Sequence, residues 1–528
     1  MVRDLLGDTT QPANAFAPES PMTYGLNFLN NTYTSVSSLI AQQYIQAAET
    51  LAYAAISCSS LPCTGNTSTL NTILGCSTQD DACAQQFIGT FANQAFRGQL
   101  DNTESMGLFS LYSSVKGQFD FPTGIQAVIE AVLESPRFLY VLEFGEGMPM
   151  GSVLPLSQYE IAGRLSLFLW RSVPDSTLMQ AASANQLSTP AQIQTQATRM
   201  LADPRASSAI DDFTTQWAQL QGTPTEGKDS QFTLWNANPK IGQEMVDETL
   251  TNVSQLVLTT NGDLTTLLTS PTSYINSDLA TFYGVTMPQG AKAVTVDDPA
   301  ITKTSFYPVM LPNRAGILTN GSIMATQAHT TLPSSVLRGK IVRENVLCDV
   351  IGHPPPNVPA PATAPADTDG GGTSTRDLLS MHADMPCATC HKFMDPIGFG
   401  FGNFDASGAY QATDANGLMG TFPAIDSSGQ VNMMNPGEFQ ATFQNVNDLT
   451  TQLAGATQTK QCFALQEFRY ALSRIESSDD ACSLQQIYTA FTGGNLNIQK
   501  LLLAIVASDA FRYRSNAIAG NACQSACQ

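Results

Sequence analysis

Cys387-Ala388-Thr389-Cys390-His391 constrains this chain more than any other stretch of it. The pattern is C-x-x-C-H, the attachment signature of a c-type haem. Its two thiols can add to the two haem vinyl groups, and the adjacent imidazole is held where it can bind the iron. The chain has 11 Cys and 4 His among 528 residues, so the pattern is rare by chance. It predicts one covalently bound haem c on Cys387 and Cys390, with His391 as an axial iron ligand. The plain rival is a disulfide or redox cysteine pair that happens to precede a histidine. A zinc site is weaker, because no second Cys-x-x-Cys or His pair lies nearby to complete four ligands.

The chain is too long for one small core and reads as several subdomains. Only 13% of residues are charged and the formal net charge is -20. That acidic balance argues against a nucleic-acid partner, which needs a basic footprint. It suits a basic redox partner protein, with a solvated acidic surface as the default reading. No uninterrupted apolar run reaches transmembrane length.

Of the remaining cysteines, Cys58 and Cys63, Cys76 and Cys83, Cys462 and Cys482, and Cys523 and Cys527 are close enough in sequence to expect as disulfides, with Cys348 left over. Disulfides and covalent haem point to the same oxidising place, periplasmic or at the cell surface. Met1 runs straight into Val2-Arg3-Asp4-Leu5-Leu6-Gly7 without a basic, apolar, small pattern, so a signal or anchor is expected upstream.

The expected fold is mainly α, with several helical subdomains and a small c-type-cytochrome-like segment inserted late in the chain. Helical patterns cover 38–56, 81–96, 206–220, 243–258 and 334–347. Ser157-Gln158-Tyr159-Glu160 is a capping box before an apolar helix that Pro174 should stop. Short extended pieces are expected at 293–296, 316–318 and 409–411. The clearest linker is 354–372, with three prolines and later three glycines. Expected divisions are 1–34, a remnant of a first domain; 35–120, helical; 121–310, central helical; 311–435, the haem-motif domain; and 436–528, a last helical domain. The last echoes 83–141: Phe87, Ala95, Leu108 and Tyr112 match Phe463, Ala471, Leu484 and Tyr488 at one offset, and Ser135 and Phe138 later match Ser508 and Phe511. Shared amphipathic spacing is the plain alternative to duplication.

The stretch His391-Lys392-Phe393-Met394-Asp395-Pro396-Ile397-Gly398-Phe399, with Asn403-Phe404-Asp405 and Gly408, resembles a bacterial family of multi-domain proteins. That family is described as domains of unknown function with a planctomycete-type cytochrome c motif, the 1592/1588/1585 set. Residues 2–7 resemble the end of its first domain, and 91–100 its next. Ser135-Pro136-Arg137-Phe138-Leu139 and 156–170 resemble the one after. Arg314-Ala315-Gly316-Ile317-Leu318 and 338–348 open the haem-motif domain, and 462–474 lies in the last. The resemblance implies a haem motif and no particular substrate.

His382, nine residues before His391, resembles a histidine of the family's motif and is the first choice for the second iron ligand. Met433 and Met434 come next, then His329; Met394 should lie on the proximal side, and His353 looks structural. Asp395-Pro396 should end the ligand helix early. Gly398, Gly400 and Gly402 can let backbone approach a flat macrocycle and Phe399 and Phe401 can cover it; a flexible turn and ordinary core fit them equally. Arg338, Lys340 and Arg343 can neutralise haem propionates or form a solvated helix face. Asp395 and Asp405 can orient His391 or cap turns. No Walker loop, G-x-G-x-x-G or H-E-x-x-H is present. Asn30 and Asn66 open glycosylation triplets.

The function expected is a monohaem c-type cytochrome of the cell envelope that carries electrons. The alternatives are a haem enzyme, a peroxidase or oxygenase with an open iron site, and a haem-free binding or scaffold protein in which Cys387 and Cys390 are a disulfide.

Overall fold

A computed structural model describes residues 1–17, 28, 36–57, 70–76, 78–146, 153–298, 302–352, 374–385, 387–413 and 424–515. The linker 354–372, His353, the triplets at Asn30 and Asn66, and the pairs Cys58–Cys63 and Cys523–Cys527 lie outside the described residues. The chain is mainly α, with three small antiparallel sheets among those residues. No described helix is long and apolar enough to cross a membrane.

Apolar periodicity and caps account for the helices. Phe121–Glu134 starts at Asp120, whose carboxylate accepts from Thr123 N–H. Ile125, Val128, Ile129 and Val132 recur at helical spacing and are fully buried, each contributing about 1.5–3 kcal/mol. The box at Ser157 and Glu160 opens Gln158–Trp170 as expected. That helix stops before Pro174, at Arg171, which turns left-handed with φ 55°. Ile241–Ser254 and Ser335–Ile341 each run on into a wider π turn, Gln255–Thr259 and Val342–Val346.

The extended piece expected at 293–296 is the edge strand Val294–Asp298. It pairs with the nine-residue strand Thr302–Met310, which also pairs with Thr272–Ile275. A proline inside a run argues against a central strand, and Pro308 hides this one. Pro308 lies beyond Phe306, the last residue paired with the edge strand, so only its Tyr274 side is bonded. The strand expected at 316–318 is instead a 3-10 turn, Ile317–Thr319. Gly316 enters it at φ 65°, and Thr319 Oγ1 accepts from Ala315 N–H and donates to Gly316 O. At 409–411 there is a single bridge, Phe404 to Tyr410.

Among the described residues three apolar cores form. One gathers the first helices from Leu5 to Phe138 and takes in Val173. A second surrounds the three-stranded sheet, with Trp235, Met245 and Phe306. The largest takes in Phe28, reaches from Leu156 to Phe511 and includes Ile397, Phe401 and Phe404, which follow the haem motif. The motif segment is therefore rooted in the main core.

The two echoing stretches carry the same succession of helices. Asp81–Ala95, Asn102–Gln118, Phe121–Glu134 and Pro136–Leu139 correspond to Thr457–Leu472, Ala481–Gly493, Ile498–Ala507 and Asp509–Arg512. The offset that relates Phe87 to Phe463 also relates left-handed Arg97 to left-handed Ser473. It relates the capping box of Asp101 and Glu104 to that of Ser477 and Asp480. Ser135 and Ser508 each cap the short final helix.

Candidate functional site

The motif helix is Ala388–Gly398, with Cys387 at its N-cap. Cys390 N–H and His391 N–H both donate to Cys387 O, at 3.2 and 3.1 Å. Residues three and four apart share a helix face, so Cys387, Cys390 and His391 lie together. Both thiols are free and half-buried.

The helix does not end at Asp395-Pro396 as expected; it continues to Gly398 and a 3-10 turn, Phe399–Phe401. Proline has no N–H for the carbonyl four residues back, here Lys392 O. Asn432 Nδ2 donates to that oxygen instead, at 2.7 Å. Arg343 Nε donates to the next carbonyl, Phe393 O, at 2.9 Å.

The glycines serve helix contact. A Cβ at Gly398 would lie 1.8 Å from Ser335 O, and one at Gly339 would lie 1.9 Å from Met394 O. The motif helix and Ser335–Ile341 thus touch backbone to backbone. Gly400 meets Leu449 and Phe443, and Gly402 meets Ile425. Phe401 is 1% exposed in the main core, and half-buried Phe399 lies under the Arg376 guanidinium at 4.2 Å. The glycines lie in close packing and not in a flexible turn, and Phe401 is ordinary core, one of the two readings expected of it.

Two of the three basic residues are also corrected. Arg338 is buried and donates to four carbonyls, Met324, Phe401, Phe404 and Asp405. Burial pushes its guanidinium down to about 9. Arg343 is buried too, bonded to Phe393 O, to Asn432 O and to Asp349 Oδ2 at 2.9 Å. They hold the motif segment in place, and only Lys340, near Glu344 at 3.7 Å, is on a solvated face.

Asp395 and Asp405 divide the two roles expected of them. Asp405 closes a turn, accepting from Ser407 N–H, Ser407 Oγ–H and Ala409 N–H. Asp395 is buried and accepts from two imidazoles, His391 Nδ1–H at 3.0 Å and His382 Nδ1–H at 2.7 Å. A carboxylate acceptor fixes the proton on Nδ1, which leaves the Nε2 lone pair for a metal. His382 comes from the short turn Ser380–Ala383, and its ring centroid lies 3.9 Å from that of His391. His382, His391 and Asp395 offer ligand atoms within 4.8 Å of one another.

The other candidates are dispersed. Met394 is buried, its backbone against Gly339. Met433 is 40% exposed and follows Asn432, which bonds to the motif helix; Met434 N–H donates to Glu438. His329 sits in an exposed turn, where its carbonyl receives the Lys228 ammonium at 3.3 Å.

Cys76–Cys83 is a disulfide as expected. Cys462 pairs with Cys348, not with Cys482, so Cys348 is not left over. Cys482 is itself disulfide-bonded. Sequence proximity misleads here because helix packing brings Val342–Val346 beside Thr457–Leu472. Asn432 is the supporting residue that sequence reading missed, and Arg343 was read for a different role. The only signal was Pro396, whose presence in a continuing helix demands a foreign donor.

Five family models match, each described as a protein of unknown function: DUF1587 at 1–57, DUF1595 at 83–143, DUF1592 at 156–285, DUF1588 at 314–414 and DUF1585 at 440–511. The match at 314–414 spans the haem motif and carries the cytochrome-type name PSCyt3. Ser135 to Leu139 fall inside the match at 83–143 and not in the one that starts at 156. No curated protein and no solved structure matches. In this order along the chain, the five matches make it a member of the planctomycete-type cytochrome c multi-domain family, whose domains are of unknown function.

Proposed function

We propose that this chain is a monohaem c-type cytochrome of the cell envelope, carrying electrons through one haem held by Cys387 and Cys390 with His391 on the iron. One observation carries the reading. Cys76, Cys83, Cys348, Cys462 and Cys482 are all disulfide-bonded, whereas Cys387 and Cys390 are free thiols. These two share a helix face with a histidine whose Nδ1 is anchored by a buried carboxylate. That donor set fits a covalently attached haem, which when bound would supply one-electron exchange at its iron. It also disfavours the scaffold reading, which needs Cys387 and Cys390 joined.

The protein's own contribution is orientation. Asp395 fixes the His391 tautomer and makes Nε2 more basic. Arg338, Arg343 and the glycine contacts hold the motif helix on the main core, which limits reorganisation around a redox centre. The acidic surface would steer a basic partner protein. The disulfides mark an oxidising compartment, and we assign it to the periplasm or cell surface.

His382 is the second residue that would hold the iron. A second reading, an open iron site that binds a small molecule, has one observation in its favour. His382 lies against His391 on the same carboxylate and not across from it.

The test is export with a signal peptide in a host that matures cytochromes c, followed by intact mass and a pyridine haemochrome spectrum. The expected product has gained the mass of one haem, with a c-type spectrum, and C387A/C390A abolishes the gain. A folded, soluble product without haem would overturn the proposal. The spin state separates the two readings. Low-spin iron that turns high-spin in H382A supports electron transfer, and high-spin iron that takes carbon monoxide in the unaltered chain supports the open site.

A further inference from the structure

A cavity of about 930 Å³ opens among the helices Ala206–Trp217 and Ile241–Ser254, the N-terminal turn Pro12–Ala15 and the edge strand Val294–Asp298. The motif helix is no part of its wall. Its size falls in the range of small-molecule pockets, roughly 300–1,000 Å³, but its chemistry is unlike an apolar pocket.

Two carboxylates, Asp211 and Asp247, line it. Ser254 Oγ–H donates to Asp211 Oδ1 at 2.7 Å, and Gln243 Nε2–H donates to Asp247 Oδ1 at 2.9 Å. Serine, threonine, asparagine and glutamine supply most of the remaining wall, and no lysine, arginine, histidine or aromatic side chain is among the described residues that line it. At Gln255 the second helix widens into its π turn, a distortion often found at functional sites. Val294, Thr295 and Val296, also in the wall, belong to a strand bonded along one edge only in its sheet. Its other edge offers backbone donors and acceptors that the sheet does not use.

We propose that this cavity binds a neutral polyhydroxylated ligand, a sugar or short oligosaccharide. Each sugar hydroxyl both donates and accepts, and so do the amide and hydroxyl side chains here. Carboxylates are the strongest acceptors for such hydroxyls. Anionic ligands meet two carboxylates and, among the described lining residues, no cation. Apolar ligands would desolvate a mostly polar wall. Organic cations find no aromatic face among the described residues that line it. Desolvation also pushes the Asp211 carboxyl up to about 7, so near neutral pH it is a donor as well as an acceptor and a weak partner for a cation. This binding would stand whether or not the chain carries haem.

The experiment is calorimetric titration of the full chain with maltotetraose, cellotetraose, xylotetraose and mannotetraose, alongside spermidine and inorganic sulfate. At least one tetrasaccharide should bind at millimolar concentration or below. Gln243→Ala should weaken it by roughly tenfold. Ser208→Trp should abolish it. Ser208 is half-buried in the cavity wall, so it probes the cavity even where a deeper variant loses its fold; melting curves report which variants remain folded. Haem content should be unchanged throughout. The proposal fails if no tetrasaccharide binds, if spermidine or sulfate alone binds, or if folded Ser208→Trp binds like the unaltered chain.

Discussion

Two buried carboxylates show how far surroundings decide what a residue does. Asp395 faces two imidazole N–H donors and is thereby fitted to orient a ligand. Glu467, 2% exposed, lies among Phe168, Leu169, Ile210 and Leu502. Burial alone pushes its carboxyl up from an ordinary value near 4.5 to about 8. The folded chain therefore keeps a proton that the unfolded chain releases near pH 4.5. Between those two values the native state binds more protons, and stability falls as pH rises, by up to about 1.4 kcal/mol per pH unit. Asp211, raised to about 7, acts in the same direction over a lower window. Glu467→Gln keeps the shape and removes the titration. From pH 6 to pH 8 the variant should lose about 2 kcal/mol less stability than the unaltered chain, read from urea denaturation at both values. Equal losses would mean that Glu467 is ionised in the fold.

At the scale of elements, the motif helix survives a proline because a distant side chain replaces the missing donor. Asn432→Ala should cost about 1 kcal/mol by leaving Lys392 O without that bond. In a P396A background the backbone regains an N–H at position 396 that reaches Lys392 O by itself, so adding N432A should cost much less. Thermal denaturation of the four proteins forms a double-mutant cycle; the same cost in both backgrounds would show that Asn432 acts elsewhere. The contrast marks what could be read from the chain. Local signals were legible: the box at Ser157 and Glu160, the apolar spacing of Ile125 to Val132, and the C-x-x-C-H spacing itself. The length of the motif helix was not, since its support lies at Asn432 and Arg343. The burial of Arg338 was hidden for the same reason: a cation reads as surface until four carbonyls from two other segments converge on it.

At the scale of the whole molecule, long-range ties set the arrangement. Strand Val153–Pro155 pairs with Tyr513–Ser515, and Arg164 joins Glu143 to the carbonyls of Ala510 and Phe511. The last helices are thereby fastened to the start of the central ones. The Cys348–Cys462 disulfide adds a covalent tie across 114 residues. Pairing by nearness in sequence could not find it, because the contact exists only once both helices have docked. A crosslink stabilises chiefly by restricting the unfolded chain, and more so for a longer loop. C348S/C462S should therefore lower stability by about 2–4 kcal/mol, seen as a lower urea midpoint under oxidising conditions. Loss of Cys76–Cys83, which closes a separation of only 7, should cost less. A peptide map without reductant decides the connectivity. A fragment joining Cys348 to Cys462 is expected; one joining Cys462 to Cys482 would reverse the assignment and return Cys348 to the free thiols.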